Sequence, residues 1–296
     1  MGYNLILTVF RKSVMPSIDL HCHSLYSDGT QTPQQLVQQA IAAGVEVLAL
    51  TDHDTVFGLT EAHLAAQLSP LKIIDGVEIS ATWQTQLVHI IGLNINPLQP
   101  ILQAGLQQQE QARAKRAQLI AQKFDSLGIK DTWQDVLALA GNNPNRIGRA
   151  HFAQVLVERG IVNAQQKAFD KYLGAGKPAN VALPWTEMKT AIDWIVAAGG
   201  VAVLAHPARY GLSQTKLRAL LFDFKQAGGQ AMEVSTANEK PNIIHNLANL
   251  AQRFELYASQ GSDYHGTNMT WLQLGRFASL PAQCQPVWQL FKEKVA

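Results

Sequence analysis

A chain of 296 residues is about twice the length of a typical domain, and its 47% hydrophobic and 16% charged residues supply a sizeable core and exclude a disordered chain or a long solvated coil. Net charge is +2, from 24 basic and 22 acidic residues, which argues against a broad polyanion-binding surface but leaves room for a local basic pocket. Cys22 and Cys284 cannot build a disulfide framework, so a reducing, cytoplasmic setting is expected, and no apolar run approaches the roughly 20 residues of a membrane span.

Residues 1–15 hold an apolar run too short for a secretory signal and end at a second methionine, Met15; they read as a loose N-terminal extension. From residue 16 onward, short apolar runs alternate with helical stretches. Ile18 to Leu20 predicts a strand. Thr32 as N-cap and Pro33 in the first turn start a helix that Gly44 ends. Val45 to Leu50 is the next strand, Leu59 to Leu68 a helix, and Lys72 to Ile74 and Leu87 to Leu93 two further strands. From 97 to 184 the signal is helical, with helices expected over 106–127, 133–140 and 149–159 and a loop over 174–180. Alternation then resumes: helices over 186–198, 217–227 and 242–254, and strands over 201–205, 231–234 and 256–258. This pattern predicts an α/β domain on a parallel sheet, open or closed into a barrel, from 16–96 and 185–296, with a helical insertion at 97–184.

Six of the nine histidines fall in or next to predicted strands. His21 and His23 follow the first strand as His-Cys-His, and period-2 geometry turns both to one face and Cys22 to the other. His53 follows the second strand in Thr51-Asp52-His53-Asp54, and Glu78 the third in Gly76-Val77-Glu78-Ile79-Ser80. His89 lies within Leu87 to Gly92, His206 ends the next strand as Ala-His-Pro, and Asp263 and His265 end the last. Imidazoles and carboxylates gathered at strand C-termini suit a barrel active site and a divalent transition metal. Packing alone does not explain so many polar groups, because burying them unpartnered costs several kcal/mol. His63 and His245, on helices, read as ordinary hydrogen-bonded residues, and His151 stays open between packing and ligand contact.

These segments, together with Asp19-Leu20-His21-Cys22-His23-Ser24 and Ser27-Asp28-Gly29-Thr30, resemble the motifs of the PHP (polymerase and histidinol phosphatase) domain family, in family order over 16–96 and 185–270. Asp28, the His89 strand and the helical insertion are most similar to the branch acting on nucleoside 3′,5′-bisphosphates and RNA 5′ ends. The resemblance implies a distorted (βα)7 barrel of PHP type holding three divalent ions, Mn first, with Zn and Fe as alternatives. It implies His21, His23, Glu78 and Asp263 around the first ion, Glu78 bridging to a second held by His89 and His206, and Asp28, His53 and His265 around the third. No Ser or Cys nucleophile with an adjacent base is evident, so attack of a metal hydroxide on phosphorus is the expected chemistry. Asp19, Asp52 and Asp54 are the expected acceptors of the free imidazole N–H groups, with Asp54 as an alternative helix cap.

Arg113 and Arg116 are three apart on one helix face, with Lys115 beside them and Lys123 further along. Gly148 and Arg149 start another helix, a suitable phosphate site, and Lys177 lies in a flexible Gly-rich loop. Lys123 reads as a solubilising charge; for Arg113, Arg116 and Arg149 the resemblance favours a grip on the substrate's second phosphate. The expected activity is removal of the 3′-phosphate from a nucleoside 3′,5′-bisphosphate, with 5′→3′ trimming of short 5′-phosphorylated RNA as the alternative. Histidinol phosphatase activity and a non-catalytic metal-binding regulatory module are disfavoured. The expected partner is thus a small nucleotide or short RNA, with no membrane and no obligate protein partner.

Overall fold

The computed structural model describes residues 17–182, 185–267, 269 and 271–291, so the expected extension at 1–15 lies outside the described residues. Strands β1 (Ile18–Asp19), β2 (Val47–Leu50) and the start of β3 (Lys72–Trp83) pair in parallel. The rest of β3 pairs antiparallel with β4 (Gln86–Leu93), and its outer end also carries a two-residue β5 (Thr186–Glu187). β4 runs antiparallel to β6 (Val201–Leu204), after which β7 (Ala231–Thr236) and β8 (Tyr257–Gly261) continue in parallel. The order β1-β2-β3-β4-β6-β7-β8 nearly closes on itself: the Leu20 amide donates to Gln260 O at 3.1 Å, and Cys22 bridges Tyr264. The ring is a distorted barrel because β4 opposes both of its neighbours.

Helix α1 (Pro33–Ala42) begins as expected: Thr32 Oγ1 accepts the Gln35 amide at 3.1 Å while Gln35 Oε1 accepts the Thr32 amide at 2.9 Å. Leu36, Val37 and Ala40 make its buried stripe. With α2 (Leu59–Ala66) it covers one flank of the barrel. The insertion consists of α3 (Pro100–Ser126), α4 (Thr132–Leu139), α5 (Arg149–Glu158) and α6 (Gln165–Ala168), the last running into one π turn at Phe169–Leu173. These pack around a core of their own, with Ile120, Phe124, Phe152, Leu156 and Leu173 buried. Helices α7 (Met188–Ala197), α8 (Gln214–Gln226) and α9 (Pro241–Arg253) cover the outer face of β3–β8. Leu20, Ile91, Leu93, Val203 and Ala205 form a separate buried cluster with Val287. No described helix is long and apolar enough to cross a membrane.

The structure corrects several boundaries. The third strand does not end at Ile74 but runs to Trp83, so Glu78 sits in mid-strand opposite Ile91 rather than at a strand end. Gly76 within this strand serves close approach: a Cβ would lie 2.7 Å from Thr51 Cγ2 and 2.9 Å from Leu50 O. Thr186 and Glu187 join the sheet rather than α7, because their backbones pair with Ala81 and Thr82. Helix α3 starts at Pro100, six residues before the expected start at Leu106, with the Gln99 side chain accepting the Ile101 amide.

Candidate metal centre

At the mouth of the barrel, strand geometry delivers the donors as the period predicts. His21 and His23 bring their Nε2 atoms within 3.0 Å of each other, while the Cys22 thiol turns away to Ala49 O. A side chain at Gly261 would clash with His21 (2.4 Å to its Cβ), so glycine there lets β8 close against the first strand. Closure brings in Asp263, whose Oδ1 lies 3.2 Å from His21 Nε2 and 3.3 Å from His23 Nε2.

Glu78 is the centre of the cluster. Its Oε2 faces His21 Nε2 (3.3 Å), His23 Nε2 (3.2 Å) and His53 Nδ1 (3.0 Å), and its Oε1 faces His89 Nδ1 (3.0 Å) and His206 Nε2 (3.1 Å). Three donor groups can each hold one ion: His21, His23, Glu78 and Asp263; His53, Glu78 and His89; and His23, Asp28, His53 and His265. His206 joins the second through Glu78. In the third, Asp28 Oδ1 is 3.4 Å from His265 Nε2 and 3.9 Å from His53 Nε2.

The donors fit divalent cations. Asp28 Oδ1, His53 Nδ1 and Glu78 Oε2 are buried without a hydrogen bond although each faces its neighbours, an arrangement of converging lone pairs that a cation resolves. Burial opposes ionisation of Glu78, but the charge of His53, His21 and His89 outweighs it and holds the carboxyl well below its usual range. Burial likewise opposes protonation of His23, but Asp263 and Glu78 lift it to about 10. The carboxylates thus demand positive charge, which a divalent ion supplies in place of protons.

The expected imidazole acceptors are corrected. Asp19 accepts backbone amides of His21, Ser262 and Gly275; Asp52 accepts the amide and hydroxyl of Ser24 and the hydroxyl of Ser27. Asp54 holds the Ser80 amide and hydroxyl and pairs with Arg113, and it caps no helix, since Gly58 precedes α2. These carboxylates shape the loops around the ligands instead of orienting the rings. The ring-orienting carboxylate is Glu233, buried on β7, with Oε1 2.9 Å from His21 Nδ1 and Oε2 accepting the His206 amide at 2.6 Å. That second bond fixes His206 at φ 27°, a conformation few residues adopt, just before Pro207. A lone acid in the apolar run Ala231-Met232-Glu233-Val234 was the available signal. Arg209, which ion-pairs with Asp263, and Tyr210, whose hydroxyl accepts the His89 amide at 3.0 Å, carried no comparable signal.

A cavity of about 450 Å³ opens above these donors, and the insertion forms its opposite wall. Arg113 and Arg116 are buried there at 5.4 and 5.5 Å from the ring centre of Trp185, and Arg149 lies 5.7 Å from that of Phe169. Arg113 is paired with Asp54, yet its buried Nε has no partner. Arg149 makes no ion pair among the described residues. Burial and repulsion from Arg149 and Arg113 lower Arg116 to about 9, and burial with repulsion from Arg113 lowers Arg149. Gly148 lines the cavity, but its amide donates to His151 Nδ1 at 3.0 Å, so His151 braces the start of α5 and that N–H is not free for phosphate. Lys115 and Lys177 are exposed and do not line the cavity. Two positions along a helix is about 200° of rotation, which turns Lys115 away from the face of Arg113. His63 pairs with Asp75 on the surface at 2.6 Å, and His245 is exposed on α9; neither enters the site.

The PHP domain family model matches residues 19–184. The chain is 40% identical to a 3′,5′-nucleoside bisphosphate phosphatase of Chromobacterium violaceum over 95% of its own length and 98% of the relative's. It is 42% identical to a 5′-3′ exoribonuclease of Haemophilus influenzae, covering 92% of this chain and 98% of that one. Among solved structures, an amidohydrolase of Chromobacterium violaceum with bound sulfate and no metal superposes with a TM-score of 0.89 at 40% identity, over 93% of this chain and 95% of that one.

Proposed function

The chain belongs to the PHP domain family, and from that premise we propose that it is a metal-dependent phosphoesterase removing the 3′-phosphate of nucleoside 3′,5′-bisphosphates. The observation that carries this reading is one cavity with opposite chemical demands on two sides: a floor of carboxylates and imidazoles suited to cations, and a wall of guanidiniums suited to an anion. A nucleoside with phosphates at both ends meets both demands at once.

Three ions would be held by His21, His23, Glu78 and Asp263; by Glu78, His89 and His206; and by Asp28, His53 and His265, with Mn favoured and Zn or Fe as alternatives. Bound there, divalent ions supply Lewis acidity toward phosphoryl oxygens and bring the pKa of a bound water toward neutrality. The chain itself positions and neutralises. Glu233 fixes the ring of His21 and the backbone of His206. Arg209, beside Asp263 on the floor, offers a guanidinium to the phosphate under attack. Arg113, Arg116 and Arg149 hold the phosphate that is not cleaved, Arg113 through its unpartnered Nε. The thiols Cys22 and Cys284 are unpaired, in keeping with a cytoplasmic enzyme.

A second reading, 5′→3′ exoribonuclease activity on short 5′-phosphorylated RNA, is favoured by the likeness to the Haemophilus influenzae exoribonuclease and breaks the same P–O3′ bond. The test is phosphate or nucleotide release from a panel of nucleotides and short RNAs, with Mn²⁺ and with chelator. Chelator-sensitive release from a 3′,5′-bisphosphate is expected. No metal-dependent release from any member contradicts the proposal.

A further inference from the structure

The cavity has a third side that the two phosphates leave unused. It is formed by Ala237, Asn238 and Glu239 after β7 and by Met269, Trp271 and Leu272 after β8. Leu272 is buried in the core beneath, and Asn238 Nδ2 donates to Trp271 O at 3.3 Å, so the backbone of Trp271 is anchored from both directions. Trp271 is nevertheless 64% exposed. Of the large apolar side chains exposed among the described residues, Trp271 alone lines this cavity; Trp185, also in its lining, is buried beneath two arginines. An anchored but uncovered indole at the rim of a nucleotide-sized cavity is a surface for stacking.

Geometry and charge say what stacks there. With a 5′-phosphate on the insertion wall and the 3′-phosphorus over the floor, a scissile phosphodiester carries a further nucleotide that has to leave on the side away from the insertion arginines. Glu239 disfavours a phosphate on that side, its neighbour Arg209 being drawn to Asp263 and the phosphate under attack, so a base rather than the backbone lies against it. We infer that Trp271 stacks the base of the nucleotide immediately 3′ of the scissile phosphodiester, making the third side a downstream subsite for single-stranded RNA. The inference rests on the phosphoesterase reading above. In the reaction it serves, water attacks phosphorus, the P–O3′ bond breaks and the 3′-oxygen takes a proton. The products are a nucleoside 5′-monophosphate and an RNA one residue shorter that keeps the phosphate at its new 5′ end.

The test compares kcat/KM for a 5′-phosphorylated trinucleotide with kcat/KM for the matching 3′,5′-bisphosphate, which has no downstream base, using the Mn²⁺-loaded full chain. Base–aromatic stacking contributes about 5- to 150-fold per base, so Trp271→Ala should lower the ratio of the two values by that amount and Trp271→Phe should restore most of it. The wild-type chain should show a like loss when the second nucleotide is abasic, a measurement that involves no change to the protein. An unchanged ratio in both experiments overturns the subsite, as does a parallel loss on both substrates. A wild-type chain active on the bisphosphate but not on the RNA overturns the subsite alone; a chain inactive on both overturns the phosphoesterase reading beneath it.

Discussion

The floor and the insertion wall of the cavity are built on opposite plans. On the floor, nearly every charged or ionisable group faces one of opposite demand: five imidazoles point at the two oxygens of Glu78. On the wall, like charges are crowded: on top of burial, Arg149 and Arg113 lower Arg116, Arg113 lowers Arg149, and Asp54 is the only carboxylate paired to any of the three among the described residues. The floor is fixed by strands and by one glutamate that every donor group shares or adjoins. The wall is carried by helices with a core of their own. Damage to the floor should therefore be collective, and damage to the wall should depend on which residue is removed and which substrate is offered.

The largest effect is expected at Glu78. Glu78→Ala should release more than one metal equivalent per chain by elemental analysis and lower activity about a thousandfold or more, since several kcal/mol of transition-state charge stabilisation depend on the ions. Chelation of the wild-type chain should match that loss and lower Tm by several degrees, as the facing carboxylates and imidazoles lose their common partner. Full metal occupancy in the variant would show that Glu78 is no bridge.

Next comes Arg113, where the wall touches the floor. Because it is the buried partner of Asp54, Arg113→Ala leaves an unpaired charge inside and should cost about 3–5 kcal/mol in stability as well as substrate binding. Thermal unfolding that matches wild type would make the pair dispensable. Glu233→Gln tests the floor's support: holding His21 with one oxygen and the His206 amide with the other, it should weaken metal affinity about 10- to 100-fold while the fold persists. Competition titration against a metal indicator reads this, and unchanged affinity would remove Glu233 from the site's support. The smallest effect is expected from Lys115→Ala and Lys177→Ala, both exposed and outside the cavity: a change in kcat/KM within about twofold that fades with added salt. A tenfold loss would place one of them on the substrate.

Legibility in the sequence follows the same division. Strand alternation and His-x-His spacing brought eight of the expected floor donors into view because a strand allows a side chain only two directions, whereas Asp28, in the turn Ser27-Asp28-Gly29-Thr30, came only with the family resemblance. The insertion's existence was visible as a change of period, but which of its cations face inward was not. Lys115 and Arg116 are neighbours in sequence, and only the packing of α3 separates them. Glu233 and Arg209 escaped because their significance lies in partners far along the chain, His21 and Asp263. Asp19, Asp52 and Asp54 were recognised as supporting groups, yet sequence could not tell whether a buried carboxylate holds a ring or a backbone amide. The role of Gly76 is hidden in the sequence for a related reason: a glycine that ends a strand and one that admits a neighbouring strand look alike until the neighbour is placed.

The division of labour is tested most directly at Arg149, which borders the cavity and makes no ion pair among the described residues, so its removal leaves no carboxylate stranded. Metal content and kcat/KM of Arg149→Ala should be measured side by side on a nucleoside 3′,5′-bisphosphate and the corresponding 3′-monophosphate. A loss of about 10- to 200-fold is expected on the bisphosphate, the worth of one charge-assisted phosphate contact, with little change on the monophosphate and full metal occupancy. Equal losses on the two substrates would contradict a wall that grips the uncleaved phosphate and would leave the barrel floor as the whole of the site.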